Sequence, residues 1–292
     1  MQRRIITSLI ALAASTCITL GSTASIADAH APKPKPQPVY VALGDSYAAG
    51  LGSGAPFDVN PDCLRSVNAY PSLLDQKYPR LGSLDFEACS LVNNTIAGLA
   101  AQVSPNALAK VVTLTIGGND IGFVPVLTSC LNQPPNTACK NDPAPAPPGW
   151  TVEMAVNAAL EALPGGLSAA LQQIQAAYPN AKIYVSGYPR LLNRFGKVGT
   201  SLCTLAPGVT VQKMDAVWLN QVADKLNGKI RLAVAQAKKQ DVRVKYVDVS
   251  KAFNGHGLCG GGSSWIDPVT GHTTARGQKA YAQQFHAAGV GK

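Results

Sequence analysis

Short apolar runs alternate along the chain with longer segments in which apolar residues recur at helical spacing. The apolar runs cover 39–43, 111–116, 181–186 and 242–248, and their length and β-branched residues predict buried strands. Helical spacing predicts helices over about 151–178, with a break at Pro164-Gly165-Gly166, and over about 212–238. Because strands that alternate with helices form parallel sheets covered on both faces, the pattern predicts an α/β fold. The expected architecture is a three-layer α/β/α sandwich with a mainly parallel central sheet.

The first 38 residues follow a different pattern. Arg3 and Arg4 precede an apolar stretch over 5–20, and Ala27-Asp28-Ala29 offers a cleavage site of the small-x-small type. The stretch is too short and too rich in Ser and Thr for a membrane span, so it predicts a signal peptide over 1–29 and a secreted or cell-wall-associated protein. Residues 30–38 alternate proline with polar residues, which predicts an extended tether. The folded domain is expected over 39–292.

Two of the predicted strands end in small polar turns. The first leads into Gly44-Asp45-Ser46, and the second leads into Gly117-Gly118-Asn119-Asp120. Because parallel strands end at the same edge of a sheet, Ser46 and Asn119 are expected near each other, as a serine nucleophile and an amide donor for an oxyanion. Taken alone, each segment is also typical of an ordinary turn, with Asp45 and Ser46 capping a helix.

A base for this serine is expected late in the chain. Of the four histidines, His30 lies in the leader region, His286 lies at the last predicted helix, and His256 lies close to a cysteine. His272 remains, in a segment that leads into a closing helix reaching Phe285. With an imidazole pKa near ~6.5, activity is expected to rise between about pH 6 and 7.

In their order and composition these three segments resemble the GDSL or SGNH family of esterases and lipases. The cysteines and the stretch Trp265-Ile266-Asp267-Pro268 are most similar to secreted actinobacterial lipases and esterases of that family. The resemblance runs from about residue 39 to the C-terminus, and it implies a flavodoxin-like fold and ester hydrolysis through an acyl-serine intermediate. It also implies that Ser46 is the nucleophile and a backbone oxyanion donor, Asn119 the side-chain donor and His272 the base.

The chain departs from the family's pattern at two places. Leu91 stands where the family has a glycine whose N–H is an oxyanion donor, and the Leu91 N–H is expected to donate in its place. Val269 stands where the family often has an aspartate, three residues before the histidine. The imidazole is therefore expected to be oriented either by Asp267 or by a backbone carbonyl from residues 265–269. The carbonyl is favoured because Asp-Pro is typical of a turn.

Six cysteines follow the leader, which is an even number in a protein expected to be exported. Six cysteines allow 15 connectivities, and their spacing alone does not select one. The family resemblance implies the pairs Cys63–Cys89, Cys130–Cys139 and Cys203–Cys259. A metal site is not expected, because the chain has no Cys-x-x-Cys and the cysteines are widely spaced.

The formal net charge is +9, which suits an anionic surface such as phospholipid and equally suits plain solubility. No nucleic-acid motif is present, no cofactor is implied, and a monomer is expected. The predicted function is hydrolysis of carboxylic esters of lipids. Phospholipase A or acyltransferase action, carbohydrate deacetylation, and surface binding with weak activity are the alternatives that the sequence leaves open.

Overall fold

Five parallel strands form the central sheet of the computed structural model, which describes residues 38–57, 61–193, 202–260 and 262–292. The strands of the chain are β1 (Pro38–Gly44), β2 (Ser83–Phe86), β3 (Val111–Thr115), β4 (Lys182–Ser186), β5 (Leu202–Ala206), β6 (Val209–Gln212) and β7 (Val244–Val247). The sheet has the order β2-β1-β3-β4-β7, while β5 and β6 pair antiparallel as a separate hairpin. In the register of the sheet Gly44 pairs with Thr115, so the turns after β1 and β3 begin side by side.

Helices cover this sheet. They are α1 (Ser46–Ala49), α2 (Tyr70–Lys77), α3 (Phe123–Ser129), α4 (Val152–Ala177), α5 (Lys213–Lys238) and α6 (Ala275–Ala288). Short 3₁₀ helices occupy Pro79–Leu81, Ala97–Gln102, Cys139–Asn141 and Ser250–Phe253. The helix α4 packs against α5, and α2 packs against α6. The three central strands β1, β3 and β4 are almost wholly buried, which confirms the predicted three-layer sandwich with a parallel sheet.

The four predicted strands and the helix over 212–238 are confirmed with small shifts of their ends. The predicted break at Pro164 is wrong, because α4 runs unbroken from Val152 to Ala177. Leu163, Pro164 and Leu167 are buried in the core, and this packing offsets the backbone hydrogen bond that proline removes. Sequence patterns also missed β2, α2 and the hairpin, which are short or weakly periodic.

Three disulfides link the loops of the described chain, and they are the pairs that the family resemblance implied. They join Cys63 to Cys89, Cys130 to Cys139 and Cys203 to Cys259, with Cα–Cα distances of 4.0, 4.8 and 5.7 Å. The predicted signal peptide and nearly all of the tether lie outside the described residues. Among the described residues, α4 alone is long and apolar enough to cross a membrane by length and composition, and here it packs against α5.

Candidate active site

Residues 44–46 form the turn at which β1 passes directly into α1, and we call it the nucleophile turn after the role predicted for Ser46. Gly44 has a φ of +131°, and a Cβ at this position would lie 2.2 Å from the carbonyl oxygen of Thr115, so only glycine fits against β3. The Asp45 carboxylate caps α1 by accepting from the Tyr47 N–H at 2.9 Å. Ser46 is the first residue of that helix and is 6% exposed. Capping by Asp45 therefore leaves the Ser46 hydroxyl free for other contacts.

That hydroxyl contacts an imidazole. Ser46 Oγ lies 2.7 Å from Nε2 of His272, and Nδ1 of the same ring lies 2.7 Å from the carbonyl oxygen of Thr270. A carbonyl oxygen only accepts, so Nδ1 carries the proton and Nε2 is left as an acceptor for the serine O–H. Burial lowers the pKa of His272 below its ordinary 6.5, against smaller opposing effects of the Thr270 hydrogen bond and the Asp267 charge.

The loop that carries the imidazole is shaped by Asp267. Its carboxylate accepts from the N–H groups of Val269 at 2.7 Å and Thr270 at 3.0 Å, and its own N–H donates to the His272 carbonyl at 2.7 Å. Asp267 thus folds the turn, and the carbonyl facing Nδ1 belongs to Thr270, one residue beyond the predicted stretch 265–269. The structure thus places the Thr270 carbonyl, and no carboxylate, at Nδ1.

Two further side chains tie this loop to the nucleophile helix. The Tyr47 hydroxyl donates to the Gly271 carbonyl at 2.8 Å. The fully buried amide of Gln278 donates to the Tyr47 carbonyl at 2.9 Å and to Thr273 Oγ1 at 2.7 Å, and its oxygen accepts from the Tyr70 N–H at 2.8 Å. Sequence reasoning missed Gln278. The available signal was a polar residue on the buried face of an amphipathic helix.

Asn119 lies in the turn after β3, which begins beside the nucleophile turn. One N–H of its side-chain amide donates to the Asn94 carbonyl at 2.9 Å, which fixes the amide and leaves its second N–H for another acceptor. The expectation that the Leu91 N–H donates to an oxyanion is wrong. That N–H donates to the Asp62 carbonyl at 2.9 Å, so the donor that the sequence assigned to an oxyanion is already engaged.

Asp45, the residue before Ser46, has a buried carboxylate. The Tyr188 hydroxyl donates to Asp45 and accepts from the Gly118 N–H at 3.0 Å, which joins the turns after β1 and β3. Burial raises the pKa of Asp45 to about 7, although the hydrogen bonds from Tyr188 and Tyr47 oppose this shift. Sequence reasoning assigned Asp45 only to a helix cap.

A small apolar cavity adjoins the same turns. It has a volume of about 50 Å³ and extends from Tyr47, Gly118 and Tyr188 towards Leu219 and Leu226 on α5. Since a water-sized group takes roughly 10–15 Å³ on this measure, the cavity has room for about three to five such groups.

One cluster among the described residues has the donor atoms that a metal ion requires. It consists of Cys130, Cys139 and Asp215. Its two sulfurs are joined in a disulfide, and Asp215 accepts from the Cys139 N–H at 3.0 Å. The cluster therefore lacks the thiolates that bind metals, and it lies outside the site around Ser46.

Residues 42–280 match the model of the GDSL-like Lipase/Acylhydrolase family. The match covers most of the chain and includes the nucleophile turn, Asn119 and His272. The chain belongs to this family of lipases and esterases, as the order of its motifs indicated.

Curated relatives and solved structures agree with this assignment. The chain is 33% identical to Lipase 1 of Streptomyces coelicolor over 93% of this chain and 92% of that protein. It is 32% identical to a lipase of Streptomyces rimosus over 99% of both chains. The crystal structure of phospholipase A1 from Streptomyces albidoflavus is similar with a TM-score of 0.68 and 31% identity, covering 85% of this chain and 98% of that one. The extracellular lipase of Streptomyces rimosus gives a TM-score of 0.66 at 28% identity with the same coverage.

Proposed function

We propose that this protein is a secreted hydrolase that cleaves carboxylic esters of lipids through an acyl intermediate on Ser46. The contact that carries the proposal is the 2.7 Å approach of Ser46 Oγ to His272 Nε2, in an imidazole whose other nitrogen is held by the Thr270 carbonyl. This arrangement leaves a neutral imidazole ready to accept the serine proton.

The reaction proceeds in two halves. Ser46 Oγ attacks the ester carbon while its proton passes to His272 Nε2, and the carbonyl electron pair moves onto oxygen. The Ser46 N–H and the free N–H of the Asn119 amide stabilise that oxyanion. Collapse of the intermediate breaks the bond to the alcohol, which takes the proton from His272. Water then repeats the sequence on the acyl-serine and releases the acid.

An acyl substrate with an apolar chain is supported by the cavity beside Tyr47 and Tyr188. Its lining is largely aliphatic and aromatic, and its volume accommodates only the first few carbons of a chain. Substrates with longer acyl chains require the cavity wall formed by α5 to move. Leu226, which is 4% exposed, lies in that wall.

Secretion is supported by the basic and apolar leader and by three disulfides, which persist in oxidising compartments. Expression of the full chain in an exporting actinobacterial host checks this part. We expect the culture fluid or cell wall to hold protein that begins near residue 30, whereas retention of an uncleaved chain in the cytoplasm would contradict it.

Labelling with a fluorophosphonate tests the mechanism. We expect mass spectrometry to find the label on Ser46, with no labelling of Ser46→Ala.

A panel of esters from acetyl to palmitoyl then tests the cavity. Leu226→Ala should raise the ratio of kcat/KM for long chains to that for short ones, a ratio that does not depend on the fraction of folded protein. The control is Leu232→Ala on the same helix, where the side chain is 45% exposed. Equal ratios in the two variants would remove the cavity from the proposal.

A further inference from the structure

The segment that faces Asn119 has an unusual backbone. The N–H groups of Ser90 and Leu91 donate to the carbonyls of Cys63 and Asp62 at 3.1 and 2.9 Å, so neither is available to a substrate. Asn93 follows with a φ of +52°, in the left-handed region that non-glycine residues rarely adopt. Asparagine adopts this conformation more readily than other non-glycine residues, and neighbouring contacts help to maintain it.

Those contacts come from both sides of the Asn93 segment, which we define as residues 92–94. The Asn94 carbonyl accepts from the Asn119 amide at 2.9 Å. The Asn93 carbonyl accepts from the Gln102 amide at 2.7 Å. The backbone of Gly98 packs so closely that a Cβ there would lie 2.6 Å from Asn93 Cα. The segment is therefore fixed between the amide of Asn119 and that of Gln102.

Gln102 also forms hydrogen bonds with the nucleophile turn. Its oxygen accepts from the Gly44 N–H at 2.8 Å, and its amide donates to the Gly44 carbonyl at 2.8 Å as well as to Asn93. The side chain is 3% exposed, and both amide hydrogens and the oxygen are engaged. A single planar group thus sets the spacing between the Asn93 segment and the turn that ends in Ser46.

We propose that Gln102 is a positioning residue of the oxyanion hole. It holds the left-handed Asn93 segment against the nucleophile turn, so that an N–H of this segment is the second backbone donor, in place of the Leu91 N–H. This inference rests on the proposed ester hydrolysis, because an oxyanion forms only in that reaction. Misplacing a donor by about 1 Å costs up to roughly 100-fold in rate, so a residue that only positions one can have a large effect.

The test combines kinetics with a tetrahedral mimic, a trifluoromethyl ketone. Ser46 Oγ adds to its carbonyl carbon, the proton passes to His272, and the carbonyl oxygen becomes an oxyanion in the hole. With Gln102→Ala we expect kcat to fall by about 10- to 100-fold at nearly unchanged KM, and the ketone to bind weaker by a similar factor. Titration of active sites corrects for unfolded protein.

Gln278→Ala is the matched comparison, since Gln278 is equally buried and makes three hydrogen bonds on the histidine side. We expect it to shift the acid limb of the pH profile, which Gln102→Ala leaves in place. Asn93→Val should lower kcat because a β-branched residue disfavours positive φ. Asn136→Val imposes the same backbone cost at a φ of +63° in the Cys130–Cys139 loop and should leave kcat unchanged.

If Gln102→Ala and Asn93→Val keep wild-type kcat and ketone affinity per active site, the positioning role is wrong and ester hydrolysis stands. If Gln102→Ala does not fold, the comparison of kcat between Asn93→Val and Asn136→Val decides by itself whether the Asn93 segment contributes to the oxyanion hole. A wild-type protein that neither hydrolyses esters nor binds the ketone overturns both proposals.

Discussion

The two sides of Ser46 are built in different ways. The base side, residues 265–274, is one continuous segment in which Asp267 folds the turn, Thr270 orients the imidazole and His272 contacts the serine. The proposed oxyanion side is assembled from segments far apart in the chain, around residues 46, 93 and 119. The turn on the base side is therefore formed by local hydrogen bonds, and Tyr47 and Gln278 attach it to α1. The other side depends on long-range contacts throughout, such as those of Gln102.

The two sides also differ in the charged groups that they bury. The base side offers the imidazole a neutral carbonyl, so it needs no carboxylate buried against the ring. A buried carboxylate stands instead behind the nucleophile, where desolvation raises the pKa of Asp45 to about 7. Asp45 and Asp267 thus fold turns and link strand ends, and in the proposed mechanism proton transfer belongs to His272.

The largest effect is expected from removing the pair that joins the two sides. Ser46→Ala and His272→Ala should each lower kcat by about 10⁴-fold or more, because nucleophile and base act as a unit. The double variant should lose little more than either single one. Rates per folded molecule, with circular dichroism as the folding control, measure this. Substantial turnover in either single variant would point to a different nucleophile or base.

A smaller loss is expected when only the oxyanion side is damaged. Asn119→Ala should lower kcat by about 10²- to 10³-fold, the usual result of deleting one oxyanion donor. The control is Asn180→Ala, which also deletes an amide bonded to a backbone carbonyl, that of Ala107 at 2.8 Å, in a loop before β4. Equal activity of both variants would remove Asn119 from the mechanism.

The contrast between the sides also explains what the sequence could reveal. The strand ends at Ser46 and Asn119, the late His272 and the long helices follow from apolar patterns and motif order, because each is a local signal. The disulfide pairs came from the family resemblance, since spacing alone leaves 15 arrangements open.

Signals that depend on tertiary contacts were missed or misread. Pro164 is a local helix breaker, yet α4 continues unbroken through it, with Pro164 buried in the core. Leu91 was placed by motif position, and only the structure reveals that its N–H is bonded to Asp62. The sequence predicts no role for Gln102 or Gln278, because their farthest partners lie 58 and 231 residues away along the chain.

The pH profile tests the electrostatics of the base side. Only neutral His272 accepts the serine proton, and burial lowers its pKa, so kcat/KM should be lost on acidification with a midpoint below 6.5. The sequence-based expectation of about pH 6 to 7 rests on the free imidazole, so the structure moves the expected midpoint to the acidic side of that value. Because Asp45 has a pKa of about 7, the limb must be compared in Asp45→Asn. A limb that persists there belongs to His272, and one that disappears belongs to Asp45.

Stability adds a check on the same two groups. The pKa of Asp45 is raised on folding, so its contribution to stability is fully present below about pH 4 and is lost as the pH rises through about 7. The lowered pKa of His272 has the opposite consequence, with stability lost as the pH falls through that pKa. Chemical denaturation should therefore give Asp45→Asn a flatter stability profile than the wild type between pH 4 and 7.

The smallest effect is expected from Asp267→Asn, the substitution that separates turn folding from direct action on the imidazole. The new amide oxygen can still accept from the N–H groups of Val269 and Thr270, so the Thr270 carbonyl should stay at Nδ1 and kcat should fall by less than about tenfold. Loss of the negative charge removes an effect that raises the pKa of His272, so the acid limb should move to lower pH. Asp267→Ala deletes the acceptor as well and should cost more, because the turn loosens. A loss above roughly 10³-fold in a folded Asp267→Asn would mean that the carboxylate acts on the imidazole as a triad aspartate does.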